Sequence, residues 1–366
     1  MTNSADFRVA VFAGDGIGPE ITAPTIDLIR RAAGRTGGFS VTPVDCPAGA
    51  AHYRDQGEAL PKPSMDTARA SDAILLAAMG LPSVRYPDGT EISPQLDLRF
   101  EFGLYAGVRP IRAVPGVPVV LADPRAREMD FVILRESTEG LFASHGKGEV
   151  TETQATETMV LTRSVSERLH DFGLRLADQR REAGGKGRAT CVDKANVFRA
   201  FAWFREIFDT RAKAFPQVTA DHMYIDACAL ALVTKPWDLD VLITENMFGD
   251  ILSDLGAGLI GGMGYAPSAD IGDEHAVFQP CHGSAPDIAG QGLANPTAMI
   301  LSAAMMLEWL GAEKGVAEAG RAGALMRSAV DAAFEDGGLK TCELGGDAGT
   351  DAVFSAVGAA LDRAEI

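Results

Sequence analysis

The chain has 366 residues, of which 46% are hydrophobic and 7% aromatic, so it can bury a sizeable core in one or two domains. Its 40 glycines and 19 prolines indicate many turns and exclude a coiled coil or a fibre. A net charge of −17 argues against a nucleic-acid partner, although clustered arginines or a bound metal can still attract an anion to one cleft.

The cysteines and the apolar segments predict a cytoplasmic protein. The five cysteines form no C-x-x-C pair, so we expect reduced thiols. The amino terminus, MTNSADFRVAVFAG, lacks a basic segment followed by an apolar core, which predicts no secretory signal. The most apolar segment, TAMILSAAMMLEWL, has too few consecutive apolar residues to span a bilayer, so we expect no membrane partner.

Predicted strands and helices alternate along the chain. Short apolar runs predict strands in FRVAVFAG, DAILLAAMG, DFVILRE, RATCVDK and DVLITEN. Helical patterns include PEITAPTIDLIRRAAG, ANVFRAFAWFREIFDTRAKAF and NPTAMILSAAMMLEWLGA, the last with Asn295 as N-cap and Pro296 in the first turn. The alternation predicts an α/β fold with a largely parallel sheet. Two stretches do not fit: RYPDGTEISPQLDLRFEFGLY is rich in turns, and ASHGKGEVTETQATETMVLT alternates threonines with charges as an exposed hairpin or arm does.

The segment ENMFGDILSDLGAGLIGG supports two functional interpretations. Gly256, Gly258 and Gly261 match G-x-G-x-x-G, but the dinucleotide-binding form of that motif requires a strand directly before its first glycine. The preceding GDILSDL has a helical period, so the glycines better suit the end of a helix. Asp250 and Asp254 would share one helix face, where they either bind a hard cation or form part of a solvated surface.

Seven motifs, in order along the chain, resemble one enzyme family. They are GDGIGPEIT, LDLRFEFGLYAGVRPIR, LRESTEGLF, VDKANVFR, YIDACALALV, TENMFGDILSDL and HGSAPDIAGQGLANPTAMILSAAMML. From near residue 7 onward the chain is similar to the metal-dependent β-decarboxylating dehydrogenases, which act on isocitrate, 3-isopropylmalate, homoisocitrate, tartrate or D-malate. The resemblance implies an isopropylmalate dehydrogenase-like open sheet, unlike a Rossmann fold, with the chain crossing between two domains twice.

The resemblance also implies a domain layout and a homodimer with shared active sites. Residues 1–104 would begin the large coenzyme-binding domain, and residues 261–366 would complete it with the adenosine-binding loop. Residues 105–260 would form the small dimerisation domain, with an arm near residues 143–162 that clasps the partner.

The reaction of this family implies sites for a metal and for carboxylates. A 2-hydroxy acid with a carboxylate on C3 is oxidised to a β-keto acid, which loses carbon dioxide when Mg²⁺ or Mn²⁺ stabilises the developing enolate. By resemblance, the metal ligands are Asp250, Asp254 and Asp226 of the partner subunit. Guanidinium groups match carboxylates in bidentate geometry, and the three that match the family's substrate arginines are Arg99, Arg109 and Arg135.

Lys194 in VDKAN matches the lysine that, from the partner subunit, assists removal of the hydroxyl proton, with Asp226 also in the catalytic set. An amine beside a metal and arginines can act as a base near neutral pH.

The coenzyme predicted by the resemblance is NAD, bound by HGSAPDIAGQGLANP. His282 and Asn295 match adenosine contacts, and Asp287 matches the acid that accepts hydrogen bonds from the ribose hydroxyls and repels a 2′-phosphate. The small residues of the loop let the backbone approach the coenzyme; these are Gly283, Ser284, Ala285 and Pro286.

Two positions depart from the family pattern. Phe142 ends RESTEGLF where the family has a tyrosine that donates a proton to the enol carbon. We hypothesise that water, Lys194 or His145 replaces that donor, or that product forms without efficient reprotonation. Gln279 in FQPCHG stands where glutamate is usual near the coenzyme.

The segment GTEISPQLDL aligns with the specificity loop of the family. Ser93 falls where isocitrate enzymes carry a serine that binds the γ-carboxylate, Gln95 falls where they carry asparagine, and Glu91 could also enter the pocket. The leucines of isopropylmalate enzymes are largely absent. The sequence therefore favours oxidation, with decarboxylation, of a malate-type hydroxy di- or tricarboxylate with a small or polar C3 substituent. The alternatives are 3-isopropylmalate dehydrogenase and a non-catalytic family member, the latter supported by Phe142 alone.

Overall fold

The computed structural model describes residues 5–365. Its strands are β1 (Ala5–Gly14), β2 (Phe39–Asp45), β3 (Ala73–Ala78), β4 (Ala106–Arg112), β5 (Asp130–Glu136), β6 (Glu149–Val150), β7 (Ala155–Thr156), β8 (Arg188–Asp193), β9 (Thr219–Tyr224), β10 (Val241–Thr244), β11 (Pro267–Ile271) and β12 (Ala276–Pro280). Its helices are α1 (Gly18–Thr36), α2 (Ala50–Gln56), α3 (Lys62–Arg69), α4 (Pro94–Glu101), α5 (Arg163–Glu182), α6 (Arg199–Ala212), α7 (Ile225–Thr234), α8 (Asn246–Leu259), α9 (Thr297–Glu313), α10 (Ala317–Phe334) and α11 (Thr350–Arg363).

Ten of these strands form one sheet that is parallel toward both edges and antiparallel in the middle. The order is β2-β1-β3-β12-β11-β4-β5-β10-β8-β9. The pairs β12–β11, β11–β4 and β4–β5 are antiparallel, and the remaining pairs are parallel. The predicted α/β fold with a largely parallel sheet is confirmed, since six of the nine pairs are parallel, but the sequence did not predict the antiparallel centre.

The strand order groups the first and last parts of the chain. Strands β1 to β3 lie beside β12 and β11, whereas β4, β5, β10, β8 and β9 from the middle of the chain form the other half. The domain boundaries after residues 104 and 260 remain a proposal, and the outermost residues of those predicted domains, 1–4 and 366, lie outside the described residues.

The antiparallel centre places a row of polar side chains on one sheet face. Gly107 pairs with Asp270 on one side and with Arg135 on the other, and directly paired residues share a face. Arg109 follows Gly107 by two residues on β4, and on β12 Gln279 follows Val277, the partner of Asp270, by two residues. Because every second residue of a strand lies on the same face, Arg109 and Gln279 also lie on that face.

Helix α8 covers this row closely because it presents glycines to the sheet. A Cβ atom on Gly249 would lie 2.6 Å from the Cβ of Arg135, and one on Gly256 would lie 2.8 Å from Ile111. Gly256 and Gly258 lie inside α8, and Gly261 follows it with a φ of 117°. The glycines therefore belong to the end of a helix, as the period of GDILSDL predicts.

Two predicted helix starts were wrong. The backbone N–H groups of Val197 and Phe198 bond to the carbonyl of Lys194, which forms a turn, and α6 begins only at Arg199. Helix α9 begins at Thr297 with Pro296 in the N-cap position, one residue later than predicted, although the side chain of Asn295 accepts the backbone N–H of Thr297 at 3.1 Å. The turn-rich segment around Ser93 also contains the short helix α4.

The apolar segment TAMILSAAMMLEWL lies in α9, which is buried between the sheet and α10. This position explains its apolarity without a membrane. Among residues 5–365, no helix combines the length and the apolarity that crossing a bilayer requires. Strands β6 and β7 form an exposed antiparallel hairpin within the segment predicted to be an arm.

Candidate active site

A cavity of about 190 Å³ lies over the polar row of the sheet, against α8. Side chains from both ends of the sequence and from its middle meet there. Charged and polar residues that line it include Gln95, Arg99, Arg109, Arg135, Asp250, Asp254, Gln279 and His282. The structure therefore brings together the three predicted substrate arginines and the two predicted metal ligands of one chain.

The three arginines are buried, each with 5% of its surface exposed. Arg135 donates to the Oδ1 atom of Asn246 from Nε at 3.0 Å and from Nη2 at 2.7 Å, and it forms an ion pair with Asp250. Burial lowers the pKa of Arg135 to about 10 even though Asp250 lies against it. A buried positive charge that an acid only partly compensates is suited to a second carboxylate, such as that of a substrate.

Arg99 and Arg109 share one buried acid, Asp270 on β11. Nη2 of Arg99 lies 3.1 Å from Oδ2 of Asp270, and Nη2 of Arg109 lies 3.3 Å from Oδ1. Burial alone raises the pKa of Asp270, but the nearby guanidinium groups outweigh it and hold that pKa at about 2. The carboxylate is therefore ionised at neutral pH.

The sequence did not identify Asp270 or Asn246 as functional residues. Asp270 stands in PSADI, which becomes a strand with all five residues buried. An acid inside so short and buried a strand must have cationic partners. An acid in a short apolar segment is therefore the sequence signal that could have identified Asp270.

Asp250 and Asp254 lie one turn apart on α8, and both face the arginine cavity. The pKa of Asp254 is raised mainly by loss of solvent around the carboxylate and, to a smaller extent, by repulsion from Asp250. Two neighbouring carboxylates that repel each other fit a hard divalent cation, which would relieve the repulsion. Within residues 5–365 no three acidic, histidine or cysteine side chains of a single chain converge as a metal site, so the described part of one chain offers a cation at this place only the pair Asp250 and Asp254.

Lys194 and Asp226 form an ion pair outside this cavity. Lys194 lies in the turn after β8, and Asp226 lies in the first turn of α7, where the hydrogen bond from Lys194 lowers the pKa of its carboxyl group. One chain therefore does not place Lys194 or Asp226 among the residues that line the cavity with Asp250 and Asp254.

Exposed apolar side chains lie on the same elements as these residues and on α8. We name them the apolar patch: Val197, Phe198, Leu230, Val233, Met247 and Ile251. They lie on the turn after β8, on α7 and on α8, the same elements that carry Lys194, Asp226 and Asp250. An exposed apolar surface of this kind indicates a protein–protein interface.

The loop predicted to bind the coenzyme borders a second cavity of about 460 Å³. Apolar residues dominate its lining, which suits the flat face of an adenine ring. Glu343 also lines it and accepts hydrogen bonds from the backbone N–H of Gly264 and the side chain of Asn295, a role that the sequence did not reveal. The lining residues include Ile17, Met263, His282, Ala285, Ile288, Leu293 and Asn295.

His282 lines both cavities. Its Nδ1 atom contacts the carbonyl of Gly283 at 2.9 Å, whereas its buried Nε2 atom has no hydrogen-bond partner among the described residues. Burial lowers the pKa of His282, which favours the neutral ring. A buried ring nitrogen without a protein partner fits a hydrogen bond to a bound ligand.

The backbone of the coenzyme loop is fixed by the amino-terminal glycine turn. The backbone N–H of Ile17 donates to the carbonyl of Ser284 at 2.8 Å, and a Cβ atom on Gly16 would collide with that same carbonyl. Gly283, Pro286 and Asp287 are exposed, so Asp287 is open to a ligand.

The predicted specificity residues divide between two cavities. Gln95 lines the arginine cavity, and its buried Oε1 atom has no hydrogen-bond partner within residues 5–365. Ser93 instead lines an adjacent cavity of about 640 Å³ with Glu91, Phe142 and His145. The ring of Phe142 lies 5.4 Å from the guanidinium carbon of Arg135, so it stands at the border of the two cavities.

Known proteins resemble this chain over nearly its full length. It matches the isocitrate/isopropylmalate dehydrogenase family over residues 8–358. A 3-isopropylmalate/3-methylmalate dehydrogenase from Methanocaldococcus jannaschii is 41% identical over 305 residues, which are 83% of this chain and 86% of that protein. A 3-isopropylmalate dehydrogenase from Salinibacter ruber is 39% identical over 368 residues, which are 98% of this chain and 95% of that protein.

Solved structures agree with this assignment. An isocitrate dehydrogenase from Methylococcus capsulatus superposes with a TM-score of 0.81 and 34% identity over 98% of this chain and 100% of that one. A β-decarboxylating dehydrogenase from Thermococcus kodakarensis gives a TM-score of 0.77 and 34% identity over 97% of this chain and 96% of that one. The chain therefore belongs to the isocitrate/isopropylmalate dehydrogenase family, the oxidative decarboxylating dehydrogenases of 2-hydroxy acids.

Proposed function

We propose that this chain is an NAD- and divalent-metal-dependent dehydrogenase that oxidises and decarboxylates a 3-alkylmalate, with 3-isopropylmalate as the leading substrate. The observation that carries the proposal is the cavity in which three buried arginines face Asp250 and Asp254. The alkyl substituent is suggested by the relatives named 3-isopropylmalate dehydrogenase. The names of these relatives fit an isopropyl substituent better than the small or polar substituent that the loop sequence favours.

The arginines would bind and orient the carboxylates of the substrate. Arg99 and Arg109 lie side by side at one end of the row, and Arg135 lies across from Gly107. Guanidinium groups in a buried cavity bind carboxylates in fixed orientations because their paired N–H groups match two oxygens. Fixed carboxylates would hold the C2 hydroxyl group toward α8.

Asp250 and Asp254 would hold the cation together with Asp226 of the partner subunit. Bound there, Mg²⁺ or Mn²⁺ would supply Lewis-acid stabilisation to the C2 oxygen and to the developing enolate. Lys194 of the partner subunit would accept the proton of the C2 hydroxyl group.

His282, Asn295 and the apolar residues beside them would hold the adenosine of NAD, with Asp287 available to the ribose hydroxyls. NAD held there would supply the acceptor for the hydride that leaves C2. Because His282 lines both cavities, the coenzyme loop and the arginine cavity are adjacent, as hydride transfer requires.

The apolar patch supports a homodimer with shared sites. Its residues belong to the elements that carry Lys194, Asp226 and Asp250. Burial of this patch between two copies would place each copy's Lys194 and Asp226 at the interface with the other copy, which would complete an arginine cavity that one chain leaves without them.

A second candidate substrate is a malate with a polar C3 substituent. Its support is Gln95, whose Oε1 atom is buried in the arginine cavity without a hydrogen-bond partner in the described chain. A hydroxyl group on C3 would satisfy that oxygen, whereas an isopropyl group would not.

A substrate panel tests both candidates. The protein is incubated with NAD, Mn²⁺ and one of 3-isopropylmalate, 3-methylmalate, malate, tartrate or isocitrate, and both NADH and released carbon dioxide are measured. The proposal predicts the highest kcat/KM with 3-isopropylmalate and loss of turnover on adding a chelator. Preference for tartrate or isocitrate, whose C3 substituents are polar, would favour the polar candidate, and preference for unsubstituted malate would contradict both. No turnover of any acid would favour a non-catalytic family member.

A further inference from the structure

Asp270 is surrounded by four hydrogen-bond donors. Its Oδ2 atom accepts from Nη2 of Arg99 at 3.1 Å and from Nε2 of Gln279 at 2.9 Å. Its Oδ1 atom accepts from Nη2 of Arg109 at 3.3 Å and from Oγ of Ser137 at 3.2 Å. Asp270 is 2% exposed, so these contacts replace water entirely.

Asp270 engages only part of each arginine. Nε of Arg99 and Nη1 of Arg109 are buried donors without a partner among residues 5–365. Since a buried donor without a partner is costly, a ligand carboxylate that accepts both would be strongly favoured. The acid therefore fixes both guanidinium groups and leaves a donor on each for a ligand.

The backbone makes room for this arrangement at Gly107. A Cβ atom on Gly107 would lie 2.5 Å from Oγ of Ser137 and 3.1 Å from Oδ1 of Asp270. Any larger residue would push into the hydrogen bond between these two side chains.

Gln279 has the side chain that this carboxylate requires. It is a donor to Asp270 and also lines the arginine cavity. A glutamate of the same shape would bring a second carboxylate to about the same distance, where two negative charges repel. The departure from glutamate at this position thus has a local physical reason.

We propose that Asp270 and Gln279 act as a coupled positioning pair, which orients Arg99 and Arg109 toward one substrate carboxylate and sets the charge of that subsite. That carboxylate belongs to the hydroxy acid substrate of the proposed function, so this inference rests on the proposed function. The role is one of positioning, because Asp270 acts through the arginines.

A double-mutant cycle tests the coupling. The proteins are wild type, Asp270→Asn, Gln279→Glu and the double variant, which moves the carboxylate from one position to the other. Each single variant is expected to raise KM for the acid by about 10-fold or more with a much smaller change in kcat, because the lost contact serves substrate binding. The double variant should recover most of the loss, and KM for NAD should stay unchanged throughout.

Asp273→Asn is the matched control. Asp273 lies three residues from Asp270 but pairs with Arg168 and Tyr105 outside the cavity, so its loss should leave KM unchanged. A wild-type KM in Asp270→Asn, or additive losses in the double variant, would overturn the inference. If Asp270→Asn fails to fold, Gln279→Glu decides, because it keeps Asp270 in place; a wild-type KM in that variant would also overturn the inference.

Crystal structures of the same four proteins separate this inference from the proposed function. Failure of the wild type to oxidise any acid would contradict the proposed function alone. The positioning role predicts that the Arg99 and Arg109 side chains shift in each single variant and return in the double variant. Unchanged arginines in both single variants would reject the positioning role whatever the substrate.

Discussion

Phe142 is the residue at which this chain departs most clearly from the chemistry that its family resemblance implies. The ring borders both the arginine cavity and the adjacent cavity, where His145 is also found. Without a hydroxyl group it cannot donate a proton to the enol carbon. The donor must then be another group, and His145 is a titratable side chain that lines the same adjacent cavity as Phe142.

Restoration of the hydroxyl group measures how much the missing donor matters. Phe142→Tyr is expected to raise kcat by about 10-fold or more if reprotonation limits turnover, since a positioned acid contributes at least this much. The measurement is kcat together with the amount of protonated product, in wild type, Phe142→Tyr and His145→Ala. An unchanged kcat and product in Phe142→Tyr would mean that the hydroxyl group is dispensable in this protein.

The proposed metal ligands on α8 predict a loss of Mn²⁺ affinity when one of them is replaced. Asp254→Asn removes one charge from the predicted ligand pair and should weaken Mn²⁺ binding by about 10-fold or more, as measured by calorimetry. Asp27→Asn, on an exposed side chain of α1, is the matched control and should bind Mn²⁺ like wild type. Equal affinity in Asp254→Asn would remove Asp254 from the metal site.

At the scale of single elements, periodicity predicted some parts and missed others. Apolar runs located β1, β3, β5, β8 and β10, and the spacing of Asp250 and Asp254 located α8, because burial on one or both faces imposes a sequence pattern. The antiparallel β11 and β12 were missed. Each has only five residues, and their inner face carries Asp270 and Gln279.

The residues of the candidate active site also divide into those that the sequence predicted and those that it missed. Motifs identified the arginines and α8 acids that the structure brings to one cavity, whereas Asp270 and Asn246 required three-dimensional information. Their function is to contact arginines 171 and 111 positions away in the chain, and no local pattern records such a contact. The start of α6 was missed for a related reason, since a backbone turn at Lys194 interrupts a helical period.

Packing between α5 and α6 predicts a dependence of stability on pH. His170 on α5 is fully buried, packs against the tilted ring of Phe204 and contacts the Phe204 carbonyl at 3.1 Å through Nε2. Burial lowers the pKa of His170 from 6.5 to about 3. Between these values the unfolded chain binds a proton that the folded chain does not, so the free energy of unfolding falls as the pH falls.

The test is urea unfolding of wild type and His170→Phe at pH 7.5 and 5.5. Wild type should lose about 1.4 kcal/mol more than the variant over this interval, because one pH unit of it lies below the unfolded pKa. His170→Gln, which can still donate to the Phe204 carbonyl, should also lose the extra dependence. Identical pH dependence in wild type and both variants would show that folding does not lower the pKa of His170, and would contradict this account of its burial.

For the molecule as a whole, the proposed active site depends on dimerisation. Val233→Glu places a charge in the apolar patch, and since burial of an unpaired charge is costly, the variant should sediment as a monomer. Its turnover should fall together with the dimer fraction. Val120→Glu is the matched control, because Val120 is an exposed valine outside the patch. A dimeric Val233→Glu protein would place the interface elsewhere.

The central claim is that each active site joins the arginines, Asp250 and Asp254 of one chain to Lys194 and Asp226 of the partner subunit. Hybrid dimers test it directly. Lys194→Ala and Asp254→Asn each inactivate both sites of their own homodimer, but a hybrid of the two variants contains one site with both defects and one site with neither. The account predicts that purified hybrids recover about half of the wild-type turnover. Hybrids as inactive as the parent homodimers would contradict it.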